Sequence, residues 1–219
     1  MMLKRKVGAL LITAVALLGA DFQEGVNYVK LDQPLNVEKN TIVKVFSFTC
    51  PFCYKYDKAV TEPVIEKVLK DKPEASFEVW HLYSKGKYGQ QGSNLMAVAR
   101  ARDIKAGITS VFDKHGYLKK MKFAYYKAYH DKNQRWDSGE DDFYKAGFEI
   151  LGISSKADFE KEVATPEVQE LLKRWEPAYP IAKIQGIPAF VVNGKYLLKT
   201  QAIKSRDYMV ELVEYLLKK

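Results

Sequence analysis

The sequence predicts an α/β fold in which a mixed sheet carries a long, all-helical insertion. Strand-like apolar runs form two groups, one before residue 90 and one after residue 185. Helical patterns without a clear strand fill the stretch between the two groups. The order strand, strand, helix, strand, helical stretch, hairpin, helix indicates a βαβ half joined to a ββα half. Helices are therefore expected on both sides of one sheet.

The individual elements follow from periodicity and from turn residues. Pro63 inside the first helical pattern predicts a kink. Asn193-Gly194 between two short apolar runs is a strong hairpin signal. Strand-like runs lie at 28–31, 42–48, 76–83, 186–192 and 195–199, and helical patterns at 53–70, 93–105, 118–130, 140–151, 156–163, 166–184 and 206–218. A helix connects the second strand to the third, so these two are expected to be parallel.

The first twenty residues have the pattern of an export signal. A basic start, Lys4-Arg5-Lys6, precedes the apolar run Val7–Leu18 and the small residues Gly19-Ala20. This order is typical of a secretory signal peptide, and we expect cleavage after Ala20. An uncleaved anchor is the alternative, but the apolar core is short for one. The predicted organisation is a signal peptide at 1–20, a sheet domain at 21–90 and 185–219, and the helical insertion at 91–184, with boundaries good to five residues.

The charge balance is mildly basic. The chain has a net charge of +8, which falls to +5 when the leader takes away three positive charges and no negative ones. No nucleic-acid motif accompanies this charge, so we expect no nucleic-acid partner. The basic, tyrosine-rich stretch 114–132 is read as a solvated helix face with its tyrosines in the core of the insertion. A charged rim that selects acidic substrates is the alternative.

The only two cysteines, Cys50 and Cys53, follow a strand pattern and open a helical one. Thr49 is the predicted N-cap, and Pro51 stands where its missing N–H is harmless. Free N–H groups and the helix dipole favour a negative charge at this end. We therefore expect a lowered pKa for Cys50 and a less acidic Cys53 one turn deeper. The pattern predicts a redox-active disulfide that needs no cofactor.

A zinc site is the other use of a Cys-X-X-Cys pair. The pair lacks a second pair of thiol ligands, and the three histidines, His81, His115 and His130, show no ligand spacing with it. His81, in an aromatic strand, is expected to be a satisfied core residue. A disulfide that closes so small a loop adds little stability. We therefore predict that the cysteine pair binds no metal and has a catalytic rather than a structural role.

A second motif stands far along the chain. Gly186-Ile187-Pro188-Ala189-Phe190 opens a strand, where a proline is awkward unless it lies in a cis turn. With this loop, the run Phe46-Ser47-Phe48-Thr49-Cys50-Pro51-Phe52-Cys53, the helical insertion and the signal peptide, the chain resembles the DsbA family of periplasmic thiol:disulfide oxidoreductases. The resemblance covers essentially the whole mature chain. It implies a thioredoxin-like mixed sheet with an inserted all-helical subdomain.

The resemblance also implies roles for single residues. Cys50 would be the exposed, reactive cysteine and Cys53 its buried partner, with Pro51-Phe52 tuning the pair. Pro188 would be the cis-proline, and Ile187 would offer backbone groups to an extended substrate peptide. Family members pass their disulfide to reduced exported proteins through a mixed disulfide. A DsbB-like membrane quinone reductase then restores the disulfide. We expect a monomeric enzyme of this kind in the periplasm.

Two positions depart from the family pattern. Well-known members have Pro-His between the cysteines, so Phe52 removes an imidazole that could stabilise the thiolate. Lys44 falls where members commonly have a buried acidic residue. Either Lys44 replaces part of the lost stabilisation with a partly buried positive charge, or its side chain reaches solvent at the end of the sheet.

The Pro-Phe dipeptide resembles the DsbL branch of the family. Members of that branch serve few substrates, notably an arylsulfate sulfotransferase, and pair with a dedicated membrane partner, DsbI. Three other functions are alternatives for this pattern. A reductase or isomerase of the DsbC type usually brings a separate dimerisation domain. A non-redox peptide-binding or chaperone module would use the groove around Pro188. A relative of 2-hydroxychromene-2-carboxylate isomerase or glutathione transferase would need a glutathione site.

Overall fold

A computed structural model describes residues 22–219, and the predicted signal peptide with its cleavage point lies outside them. The strands are β1 (Tyr28–Lys30), β2 (Thr41–Phe46), β3 (Ser76–His81), β4 (Ala189–Val192) and β5 (Tyr196–Leu198). The helices are α1 (Pro51–Ala59), α2 (Thr61–Asp71), α3 (Gly89–Lys105), α4 (Tyr117–Tyr126), α5 (Glu140–Leu151), α6 (Lys156–Val163), α7 (Pro166–Trp175), α8 (Ala178–Gln185) and α9 (Arg206–Leu217). A π-helical turn spans Lys127–Asp131, and a 3-10 turn spans Thr200–Ala202.

The five strands form one mixed sheet in the order β1-β5-β4-β2-β3. Strands β2 and β3 are parallel, and the other neighbouring pairs are antiparallel. The predicted mixed sheet and the parallel pair are therefore confirmed. Every residue of β2 is buried, which is typical of an interior strand with both faces covered. The carboxyl end of β2 leads directly into the cysteine pair.

The hairpin between β4 and β5 turns at Asn193-Gly194, as predicted. Both residues have positive φ, 54° and 65°, which a type I′ turn requires. A Cβ on Gly194 would lie 2.5 Å from the carbonyl oxygen of Leu35, so this position also needs glycine for close packing. The turn thus fixes the register of the strand that follows the cis-proline motif.

The chain between β3 and β4 is helical, and its helices pack largely on α3. Helix α3 contacts α4 and α7 most extensively, while α2 packs on α9 at the other side of the molecule. The exact domain boundaries remain a prediction. Within residues 22–219, no helix combines the length and the apolar character needed to cross a bilayer.

Two predicted helices are interrupted by prolines. The pattern 53–70 divides at Val60 into α1 and α2, because Pro63 has no N–H to donate to the carbonyl of Ala59. The pattern 166–184 was predicted as one helix and is wrong in that respect. It divides after Trp175, and Pro177 then caps the start of α8. All five strands end earlier or begin later than predicted. The largest differences are in β2, which ends at residue 46, in β3, which ends at residue 81, and in β4, which begins only after Pro188, a residue with no N–H to pair.

Candidate active site

The candidate site is built on the amino end of α1. The backbone of Cys50 is extended, and its Sγ accepts a hydrogen bond from the N–H of Cys53 at 3.1 Å. Cys50 is therefore the N-cap, and the predicted cap Thr49 is wrong. The Thr49 hydroxyl instead shares a 3.0 Å hydrogen bond with the hydroxyl of Ser47. The sulfur of Cys50 thus takes the place where a helix end favours a negative charge.

Both cysteines are enclosed by the surrounding chain. Cys53 is 0% exposed and Cys50 only 2%, so the expectation of an exposed Cys50 is wrong in terms of accessible area. Phe52 between them is 62% exposed. The first cysteine is covered because its sulfur lies between the helix end and the cis-proline loop. The exposed part of the motif is the dipeptide.

The two thiols differ in acidity in the direction that the sequence predicts. The hydrogen bond from the Cys53 thiol lowers the pKa of Cys50, burial opposes this, and the backbone N–H of Cys53 lowers it further. The charges of Lys85 and Lys44 lower the pKa of Cys50 as well. Burial raises the pKa of Cys53 well above its usual range, and the neighbouring Cys50 raises it further. A negative charge on the pair therefore resides on Cys50.

The cis-proline motif meets the cysteine pair in space. The peptide bond between Ile187 and Pro188 is cis, as predicted from the sequence. The Cys50 thiol donates to the carbonyl oxygen of Ile187 at 3.4 Å across 137 positions of sequence. Pro188 is buried and Ile187 is half-buried. The structure thus brings the two predicted motifs together.

Lys44 lies inside the protein, and the alternative in which it reaches solvent is wrong. The side chain is 0% exposed. Its Nζ is 2.5 Å from Oδ1 of Asp57 and donates to Oγ1 of Thr61 at 3.0 Å. Lys44 stays inside because both partners, on α1 and α2, satisfy its ammonium group there. Its charge acts on both thiols and lowers the pKa of each.

A second buried lysine shares the same carboxylate. Lys122 of α4 places its Nζ 3.3 Å from Oδ2 of Asp57, and the Tyr126 hydroxyl donates to that oxygen at 2.9 Å. Burial alone would raise the pKa of Asp57, but Lys122 and Lys44 hold it at about 2. Lys122 was not predicted as a site residue, because the lysines of 114–132 were assigned to a solvated face. Its spacing was the available signal, because positions 118, 121, 122, 125 and 126 form one buried stripe of α4.

Two further features of the site were missed. Lys85 stands in the loop after β3, where Gly86 packs so closely on Thr49 that a Cβ would lie 2.8 Å from its Cγ2. The π-helical turn contacts the chain on both sides of the cysteine pair. Before the pair, His130 Nε2 donates to the Phe48 carbonyl at 3.0 Å. After the pair, the Tyr54 hydroxyl donates to Asp131 at 2.6 Å. No local sequence pattern indicates either contact.

His81 is a buried residue of β3, as predicted, but the expectation that its polar atoms are all satisfied is wrong. Its Nδ1 lies 2.8 Å from the hydroxyl of Ser93, whereas Nε2 has no partner within the described part of the chain. Burial lowers the pKa of His81 to about 3, so the ring is neutral near pH 7. Its ring stacks on Phe48 with centroids 5.5 Å apart, which places it behind the strand that leads to the cysteines.

A family model described as a DSBA-like thioredoxin domain matches residues 41–211. The chain belongs to this family. DsbL of Escherichia coli O6:H1 is 50% identical over 208 residues, which cover 94% of this chain and 91% of the relative. DsbA of Pectobacterium carotovorum is 28% identical over 88% of this chain and 84% of the relative.

Solved structures of the DSBA-like family agree with the observed fold. A crystal structure of reduced DsbL has a TM-score of 0.82 at 50% identity and covers 90% of this chain and 100% of its own. DsbL of Salmonella enterica serovar Typhimurium has a TM-score of 0.83 at 50% identity and covers 91% and 99%. The predicted thioredoxin-like fold, the DsbA family and the likeness to DsbL are therefore confirmed. The chain is a thiol:disulfide oxidoreductase.

Proposed function

We propose that the chain is an exported thiol oxidase that introduces disulfide bonds into folding periplasmic proteins. The observation that carries this proposal is the position of the Cys50 sulfur. It accepts from the backbone at the start of α1 and lies 3.4 Å from the carbonyl of Ile187 in the cis-proline loop. A sulfur in that position is a good leaving group, because a lowered pKa stabilises its thiolate.

The transfer proceeds in two exchanges. A substrate thiolate attacks the Cys50 sulfur of the disulfide, and Cys53 leaves and takes up a proton. Burial raises the pKa of Cys53, which favours its thiol form after this step. The second substrate thiolate then attacks the substrate sulfur of the mixed disulfide, and Cys50 leaves as a thiolate. The substrate gains a disulfide, and the enzyme is left as a dithiol.

The two walls of the site have different tasks in this scheme. Ile187, beside the buried Pro188, presents backbone groups that pair with an extended substrate segment around its cysteine. Phe52 is 62% exposed and offers an apolar contact to a substrate. Lys44 replaces part of the thiolate stabilisation that a histidine at position 52 would give. The 0% exposure of its side chain supports this role.

The proposal extends to location and partners, and membership of the family supports it. The chain acts in the periplasm as a monomer, and a DsbB- or DsbI-like membrane quinone reductase restores its disulfide. The 50% identity to DsbL supports a narrow set of clients, with an arylsulfate sulfotransferase as the first to test. No metal or other cofactor takes part.

The direction of electron flow is tested by the reduction potential. The protein is equilibrated with glutathione buffers of known ratio, and the oxidised form is then mixed with a reduced two-cysteine peptide. We expect a potential near about −120 mV, the value of the family member DsbA, and rapid oxidation of the peptide. A potential near that of thioredoxin, about −270 mV, would indicate a reductase instead.

A further inference from the structure

The two buried lysines and one aspartate form a cluster beneath the cysteine pair. Lys44 lies on β2, Asp57 on α1 and Lys122 on α4, and each side chain is 0 to 3% exposed. Asp57 is the only carboxylate that forms an ion pair with either lysine in the described part of the chain. Two ammonium groups therefore share one carboxylate. Burial lowers the pKa of Lys122, and the charge of Asp57 opposes this. With both lysines ionised, the cluster carries one excess positive charge.

An excess buried charge is unfavourable unless another group compensates it. Apart from Asp57, the Lys122 ammonium group lies near the rings of Phe46 and Phe123, whose centroids are 5.7 and 5.5 Å from Nζ. Aromatic rings stabilise a buried positive charge less than a carboxylate does. The neighbouring group that can become negative is the cysteine pair. Asp57 follows Cys53 by one turn on the buried side of α1, so the cluster lies beside the second cysteine. The charge of Lys44 acts on both thiols, and both thiols act on Tyr126, which donates to Asp57.

We propose that Lys122 is a positioning residue of the redox centre. With Lys44 it gives the buried cluster one positive charge that a thiolate on Cys50 compensates and a disulfide does not. The cluster therefore favours the dithiol form and makes the Cys50–Cys53 disulfide a stronger oxidant. This inference rests on the proposed oxidase function and assigns to the helical insertion a part in setting its strength.

The charges balance in each turnover. Oxidation of a substrate dithiol passes two electrons to the Cys50–Cys53 bond, which breaks. Of the two substrate protons, one ends on the Cys53 thiol and the other goes to solvent, because Cys50 keeps its electron pair as a thiolate. The site thus gains one negative charge on reduction, next to a cluster with one positive charge in excess.

The test replaces Lys122 by a neutral side chain of similar length. In Lys122→Met, the thiolate fraction of Cys50 at a fixed pH below its pKa is expected to fall about tenfold. At a pH where Cys50 is ionised in both proteins, the same tenfold change makes the potential of this two-electron couple about 30 mV more negative. The readouts are the thiolate absorbance of the reduced protein against pH and the potential in glutathione buffers. Lys120→Met, an exposed position of the same helix, is the matched control, and Lys122→Arg should restore wild-type behaviour.

A second variant separates charge from packing. Asp57→Asn removes the negative member of the cluster, so it should lower the pKa of Cys50 or leave it unmoved. Damage to packing alone would move both variants in the same direction. The inference is overturned if Lys122→Met leaves the pKa of Cys50 at the wild-type value, or if both variants raise it. A wild-type protein that fails to oxidise the two-cysteine peptide would instead overturn the proposed function.

Discussion

Two lysines act on Cys50 from different surroundings. Lys44 is enclosed, with 0% of its side chain exposed, whereas Lys85 belongs to an exposed loop after β3. Charges at the surface are screened by salt, and buried charges much less so. The two contributions to the acidity of Cys50 should therefore separate when ionic strength is varied.

We expect both Lys44→Met and Lys85→Gln to raise the pKa of Cys50, since each removes a positive charge that favours the thiolate. The effect of Lys85→Gln should shrink toward zero at about 1 M salt, where the Debye length is about 3 Å. The effect of Lys44→Met should persist. Thiolate titrations at low and high salt measure both, with Lys105→Gln at the end of α3 as the distant control. An unchanged pKa of Cys50 in Lys44→Met would show that Lys44 does not stabilise the thiolate.

The sequence analysis found the residues whose chemistry is local. Cys50 and Cys53 are three apart at a strand-to-helix junction, and Pro188 opens a strand, so spacing alone singled them out. Asp57 was missed because it meets Lys122 across 65 positions of sequence. Lys122 was missed because its stretch was assigned to a solvated face, although its place on the buried stripe of α4 was a signal. Lys44 was predicted as a tuning residue, but its burial could not be predicted, because it depends on the ion pair with Asp57.

At the scale of elements, α1 is held by the insertion through the π-helical turn. The turn at Lys127–Asp131 receives the Tyr54 hydroxyl on Asp131 and donates from His130 to the backbone of Phe48. Tyr54 also stacks on Tyr126 and on His130, with centroids 5.0 and 5.4 Å apart. Single π-helical turns are frequent at functional sites. Here the turn ties the residues on both sides of the cysteine pair to one helix.

Loss of the Tyr54 hydroxyl should loosen this attachment. We expect Tyr54→Phe to lower the free energy of unfolding by about 1 to 2 kcal/mol, because a hydrogen bond to a carboxylate is lost. Urea unfolding of Tyr54→Phe, Asp131→Ala and the double variant gives the coupling energy of the pair. Additive losses would contradict the contact, and Tyr83→Phe, with a ring 39% exposed, serves as the control.

Helix ends show where reading the sequence by pattern fails. Pro63 predicted a kink, whereas the structure has a complete break at Val60. The sequence pattern does not distinguish a helix that bends at a proline from one that ends and is followed by a second helix. Pro177 was overlooked inside an otherwise good amphipathic run. The π-helical turn gave no signal, since its residues continue the periodicity of α4.

For the whole molecule, folding disfavours protonation of His81, whereas the unfolded chain accepts the proton. Burial lowers the pKa of His81 to about 3 in the folded protein, whereas an unfolded histidine titrates near about 6.5. Between these values the unfolded state binds one more proton. Stability from the neutral ring is complete above about pH 6.5 and is lost as pH falls toward about 3.

We expect this histidine alone to lower the free energy of unfolding by about 1.4 kcal/mol for each pH unit below about 6. Urea unfolding at several pH values between about 4.5 and 6.5 measures the slope, in a range above the acid titration of Asp57. His81→Gln or His81→Phe should reduce the slope by the equivalent of about one proton, while the exposed His115→Gln should leave it unchanged. An unaltered slope in both His81 variants would show that another group causes the acid loss.

The overall architecture was accessible from the sequence because its signals are regular. Alternating and continuous apolar runs marked the five strands, and the Asn193-Gly194 turn fixed the last hairpin. The way the insertion engages the cysteine pair was not accessible, since it depends on Lys122, His130 and Asp131 meeting distant partners. Those contacts make the sheet and the insertion parts of one redox centre.

In the reduced protein, Cys50 carries the negative charge of the cysteine pair. The direct measurement is a titration of the reduced protein by thiolate absorbance, with Cys53→Ser to assign the signal. We expect a pKa for Cys50 clearly below the value of about 8.5 for a free cysteine, and a Cys53 thiol that stays protonated well above that pH. A Cys50 pKa at or above about 8.5 would show that the helix end and the lysines do not stabilise its thiolate.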